Sequence, residues 1–223
     1  MHRLIAAVLK ILKWPIAGLF AVYLPASIWG LGVEVMRDGQ GAATFSPLAL
    51  GFVGYLVLWW AWLGRSMKFL ATLEHELTHA FFALVTGNRI VELHVTADDG
   101  ALLYTGSKNF LIASGPYWFP SLTWVALLAT AFVDRSHLFG LRVVIGASLA
   151  FHVISSWQET HSGQTDLRDD TGLLFAVSFL PTANVLSVGL VLADVRAHLH
   201  GVVQFIHSVV NAPWNPFRIW HWL

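Results

Sequence analysis

The chain has 223 residues, enough for one domain with little room for an appended soluble module. Hydrophobic residues make up 56% of it and charged residues only 12%, about half the charged share of a soluble domain, which excludes an ordinary water-solvated surface. Thirteen basic residues balance thirteen acidic ones, so nothing marks a nucleic-acid partner, and the absence of cysteine excludes disulfides, thiolate ligands and a cysteine nucleophile.

The apolar residues come in blocks, and a spanning helix needs about 20 of them. Residues 14–33 meet this length. Arg3, Lys10 and Lys13 precede that block as in a signal peptide, but the block outruns the ~7–15 residues of a signal core and reads as a membrane anchor. A polar loop over 34–46 leads to a second span at 47–64. The next helix, at 66–86, carries His75, Glu76 and His79 in its middle. Val91, Leu93 and Val95 then alternate with Glu92, His94 and Thr96, and Asp99-Gly100 is a turn signal, so 90–105 reads as a β-hairpin between membrane helices.

Further spans are expected at 109–133, 142–158 and 172–195, with a carboxylate-rich loop over 159–171. From His198 onward His200, Gln204, His207 and Asn211 form a polar stripe opposite Val202, Val203, Phe205, Ile206 and Val210. That pattern predicts an interfacial helix with Trp214, Trp220 and Trp222 as headgroup-level anchors; a buried helix against the bundle is the alternative. The expected fold is an all-α polytopic membrane protein with about six transmembrane helices, an inserted hairpin and a C-terminal interfacial helix. One domain spans 1–223, divided into anchor helices (1–65), a core (66–195) and an amphipathic aromatic tail (196–223). The basic residues before the first span, with Arg65 and Lys68 after the second, place the amino terminus in the cytoplasm.

His75 and His79 are four residues apart, so on a helix they stack on one face within reach of a single tetrahedral ion. Glu76 adjoins that face, where its carboxylate can move a proton to and from water activated by the ion; these are the mechanics of H-E-x-x-H. Ionisable residues in mid-span are costly in hydrocarbon and mark functional sites. Two histidines need at least one further protein ligand, and Asp166, Asp169, Asp170, His161 and His152 are the available suppliers. Asp170 reads as a cap of the following helix and Asp169 as a dipole partner of its first turn, leaving Asp166 the freest, with His161 next. His152 reads as a core histidine. Asn184, three residues after Pro181, suits either substrate backbone or carbonyls that the proline frees.

Here the chain resembles the site-2-protease class of intramembrane zinc metalloproteases, in its compact form without a PDZ insertion. The resemblance rests on His75-Glu76-Leu77-Thr78-His79-Ala80, on the hairpin after Gly87-Asn88-Arg89, and on Ala113-Ser114-Gly115-Pro116, similar to an A-x-G-P signature. It covers residues 70–118. It implies Zn2+ held by His75, His79 and an aspartate, Glu76 as general acid/base, and a membrane protein as substrate. The hairpin edge at Ile90, Val91 and Leu93 would then clamp an unwound substrate strand, with Gly115, Pro116 and Asn184 also at the substrate. The bacterial inner membrane is the implied location. The family's asparagine after G-P is replaced by Tyr117-Trp118-Phe119-Pro120, and its N-x-x-P-x-x-x-x-D-G string is absent; Thr165-Asp166 resembles the S/T-D motif of a looser branch. A non-proteolytic subunit that packs against partner membrane subunits is the alternative function.

Overall fold

Long apolar helices frame the molecule because most of the chain cannot be solvated by water: Arg3–Met36, Ala43–Trp62, Arg135–Glu159 and Leu173–Val210 are each long and apolar enough to cross a membrane. The protein is an integral membrane protein. The computed structural model describes residues 2–37, 41–160 and 165–214. In chain order these form α1 (His2–Met36), α2 (Gly41–Leu58, continued by a π-helical turn at Trp59–Leu63) and α3 (Lys68–Val85). The hairpin strands β1 (Arg89–Val95) and β2 (Gly100–Thr105) follow. Then come α4 (Phe110–Ser114), a 3-10 turn at Gly115–Tyr117, α5 (Ser121–Ala129), α6 (Leu138–Glu159), a π-helical turn at Asp166–Thr171 and α7 (Leu173–Val210).

The six expected spans therefore resolve into four long apolar helices, the histidine-bearing α3, and a broken segment where one span was expected at 109–133. Two prolines break it. Pro116 and Pro120 carry no N–H and cannot continue a helical ladder, so α4 stops after five residues and α5 restarts at Ser121.

In lipid, helices gain little by hiding apolar surface from one another, and close packing of side chains holds them instead. α1 lies along α7, with Phe20 stacked on Phe179 at 4.6 Å. α2 lies along α6. Leu48, Leu127, Ile145, Leu149 and Val191 form the core shared by α2, α5, α6 and α7.

Beyond Arg196 the tail helix packs one side against the bundle. The backbone leaves helical geometry at Ala197 and His198 (φ 46°), and residues 199–210 fold back on the bundle. Phe205 and Val209 are buried with Ala26, Ala193 and Ala212. The Phe205 ring lies where a Cβ on Gly189 would be, so the close approach depends on that glycine. One side of the tail is thus a packed helix, while Leu199, Val203, Ile206 and Val210 face outward. Arg196 donates to the fully buried Glu34 and to Gln204, tying the turn to the end of α1. Trp214 is exposed, and Trp220 and Trp222 lie outside the described residues.

The hairpin is antiparallel with a bulge between Ile90 and Glu92. Its reversal uses Thr96–Asp99, where Thr96 Oγ1 accepts from Asp99 N, so Gly100 already belongs to β2. Ile90, Leu102 and Tyr104 pack on Phe82, Ala83 and Ile112, seating the sheet against α3.

Candidate metal centre

Helical spacing puts His75 and His79 on one face of α3, their rings 4.7 Å apart. Asp166, on the π-helical turn before α7, meets them from across the bundle: its Oδ2 lies 3.5 Å from His75 Nε2 and 3.2 Å from His79 Nε2. One ligand atom from each residue lies within 4.8 Å of the others, and this trio could hold a metal ion.

The orientation of His79 follows from a proline four residues beyond its partner. Pro116 has no N–H, so the carbonyl of Ile112, which a helical residue 116 would occupy, stays free. His79 Nδ1 donates to that oxygen at 2.7 Å. Asn109 sets the start of the same turn, its Oδ1 accepting from Leu111 N and Ile112 N. With Nδ1–H committed, neutral His79 offers a lone pair at Nε2, facing the Asp166 carboxylate. Two acceptors 3.2 Å apart call for a cation between them.

The donor set passes a further test. Ligand bonds of about 2.0–2.2 Å in a tetrahedral site put neighbouring ligand atoms roughly 3.3–3.6 Å apart, and Asp166 Oδ2 stands at close to that separation from each histidine nitrogen. Two nitrogens and one oxygen leave a fourth position open.

The trio opens on a cavity of about 520 Å³ lined also by Glu76, Thr72, Gly100, Leu102 and Tyr104. Glu76 is only 7% exposed and borders the cavity beside both histidines. Gly100 is pressed against it, and a Cβ there would meet Glu76 Cγ and Oε1 at 2.8 Å.

The remaining sequence candidates fall into distinct places. Asp170 pairs with Lys108 at 2.9 Å, raising that ammonium above its ordinary value, rather than capping α7, whose first-turn cap position is Gly172. Asp169 pairs with its neighbour Arg168. His152 is a core residue, with Nε2 near Ser156 Oγ and Nδ1 3.9 Å from Glu74. His161 lies outside the described residues. Ile90, Val91 and Leu93 do not line the cavity; the strand that does is β2, through Gly100, Ala101, Leu102 and Tyr104. Gly115 backs onto the Phe82 ring, and neither it nor Pro116 lines the cavity. Asn184 donates to the carbonyls of Tyr117 and Leu180.

Sequence reasoning passed over Glu74 and Tyr117. Glu74 is buried on the face of α3 away from the trio and accepts from Ser121 Oγ and Leu122 N at the start of α5. A carboxylate one residue before the motif was the available signal. Tyr117 is 2% exposed, and its hydroxyl lies 3.4 Å from Asp166 Oδ2.

A family model described as Peptidase M50B-like matches residues 48–212, which include every residue of this centre. No curated protein and no solved structure matches the chain.

Proposed function

We propose, since the chain belongs to the Peptidase M50B-like family of membrane metalloproteases, that it is an intramembrane zinc protease hydrolysing a peptide bond of a membrane-anchored protein. The observation that carries this reading is the convergence of His75, His79 and Asp166 on one point beside Glu76, inside a cavity large enough for an extended strand. His75, His79 and Asp166 would hold Zn2+. Bound there, the ion would supply Lewis acidity, polarising the scissile carbonyl and making a water molecule acidic near neutral pH. Glu76 takes a proton from the attacking water and returns it to the leaving amine.

A substrate helix shields its own amides and must unwind to be cut. β2 supports a place for the unwound strand: it lines the cavity, and in a two-stranded sheet its outer edge has no strand partner among the described residues. An added strand on that edge would run past Glu76 by β-augmentation. The basic residues before α1 support a cytoplasmic amino terminus, with the cavity toward the cytoplasmic side.

The test is a panel of single-span membrane reporters co-reconstituted with wild type and Glu76→Gln. Cleavage of a reporter by wild type and none by Glu76→Gln, with zinc retained in both, is the expected result. Equal cleavage by the two proteins contradicts the assignment of Glu76.

A further inference from the structure

In the break between α4 and α5 two successive carbonyls each accept from a side chain on a different helix. Pro120 has no N–H for the carbonyl of Pro116, and Ser156 Oγ on α6 donates to it at 3.2 Å. The Tyr117 carbonyl sits at the end of the 3-10 turn, and Asn184 Nδ2 on α7 donates to it at 3.0 Å. Buried carbonyls need partners, but two consecutive ones held from two helices also fix the backbone on both sides of one residue. That residue is Tyr117. Its ring stands edge-on to His75, with centroids 5.3 Å apart and planes at 88°. Its hydroxyl donates to Asp166 Oδ2, the same oxygen that faces both histidines.

We infer that Tyr117 is a positioning residue of the metal centre, orienting Asp166 toward the ion, and that Ser156 and Asn184 act through it. This rests on the reading of Asp166 as a metal ligand. Asp166 arrives on a short π-helical turn far from α3 in sequence, so its oxygen needs an external reference. A phenol that touches both His75 and Asp166 supplies one from a segment anchored to α6 and α7. Hydrogen bonds to a ligand's oxygen typically change metal affinity about 10–100-fold when lost. Asn184 accordingly serves the carbonyl of Tyr117, and through it the metal ligand, from a helix that does not itself contribute a ligand.

The experiment measures the Zn2+ dissociation constant of full-length detergent-purified protein by chelator competition, with the visible spectrum of the Co2+-loaded protein as a coordination signature. The variants are Tyr117→Phe, Ser156→Ala, Asn184→Leu, Asp166→Asn and the combination of Tyr117→Phe with Ser156→Ala. Tyr117→Phe is expected to weaken Zn2+ by about tenfold or more and shift the Co2+ spectrum, with the melting temperature unchanged. Ser156→Ala and Asn184→Leu are expected to weaken Zn2+ by smaller factors, and Ser156→Ala is expected to add nothing in the Tyr117→Phe background. If Tyr117→Phe does not fold, the spectra and affinities of Ser156→Ala and Asn184→Leu decide. Wild-type affinity in every folded Tyr117, Ser156 and Asn184 variant, with Asp166→Asn impaired, overturns this inference alone. Wild-type affinity in Asp166→Asn overturns the ligand assignment beneath it.

Discussion

Gly100 on β2 and Glu76 on α3 touch so closely that a Cβ on the glycine would lie 2.8 Å from Glu76 Cγ and Oε1 and 2.7 Å from Thr72 Cγ2. The strand that borders the cavity and the carboxylate assigned to proton transfer are thus in direct steric register. Gly100→Val must crowd Thr72 and Glu76, neither of which is among the three proposed metal ligands. Misplacing a catalytic group by about 1 Å can cost about 100-fold in rate. Cleavage of a membrane reporter by Gly100→Val should fall by about that factor with zinc content unchanged; full activity would remove the constraint.

The approach of α2 and α6 depends on two glycines that serve each other. A Cβ on Gly51 would fall 1.8 Å from the Val143 carbonyl oxygen, and one on Gly146 would fall 1.9 Å from that of Leu48. Backbone cannot yield as a side-chain end can. Gly146→Leu should therefore separate the helices, at a cost at or above the roughly 1–3 kcal/mol of ordinary overpacking. Thermal unfolding in detergent would show it as a clearly lowered melting temperature, and an unchanged one would contradict the packing described.

Glu34 is 0% exposed and accepts from Arg196, which also donates to Gln204 on the folded-back tail. Removing one member of a buried ion pair strands the other, typically for about 3–5 kcal/mol. Glu34→Ala should destabilise the protein by an amount of that order. Adding Arg196→Leu should restore part of the loss, because the stranded charge is then gone. A double-mutant cycle on melting temperature checks both; additive losses would mean that the two residues do not act as a pair.

Among the clustered aspartates only Asp166 faces the histidines. Asp170 is held by Lys108 and Asp169 by Arg168, both at positions where solvent screens the pair. Asp169→Ala and Asp170→Asn should each keep full zinc content and a melting temperature within a degree or two of wild type. Loss of zinc in either would move the third ligand away from Asp166.

The four long helices, the hairpin and the histidine pair were legible because each writes a local pattern: apolar length, period-two alternation, and spacing by four. The proximity of Asp166 to the histidines was only one of several readings, since a pairing across 87 residues leaves no local trace. Other long-range features were likewise hidden. Nothing at Ala197-His198 signals a reversal, because neither glycine nor proline occurs there, and the buried Glu34–Arg196 pair joins ends of helices remote in sequence. Alternation showed a hairpin but not which strand borders the cavity; the lining strand is β2, through Gly100, Ala101, Leu102 and Tyr104. Pro116 was readable as a helix breaker, but not that its missing N–H frees the carbonyl that orients His79.

The central claim is that His75, His79 and Asp166 hold one zinc ion. Elemental mass spectrometry on detergent-purified wild type, His75→Ala, Asp166→Ala and Asp166→Asn tests it most directly. The account predicts near one zinc per wild-type chain, with loss in the His75 and Asp166 variants although all remain folded. Wild-type protein free of metal after zinc-replete preparation, or full zinc in the Asp166 variants, would contradict it.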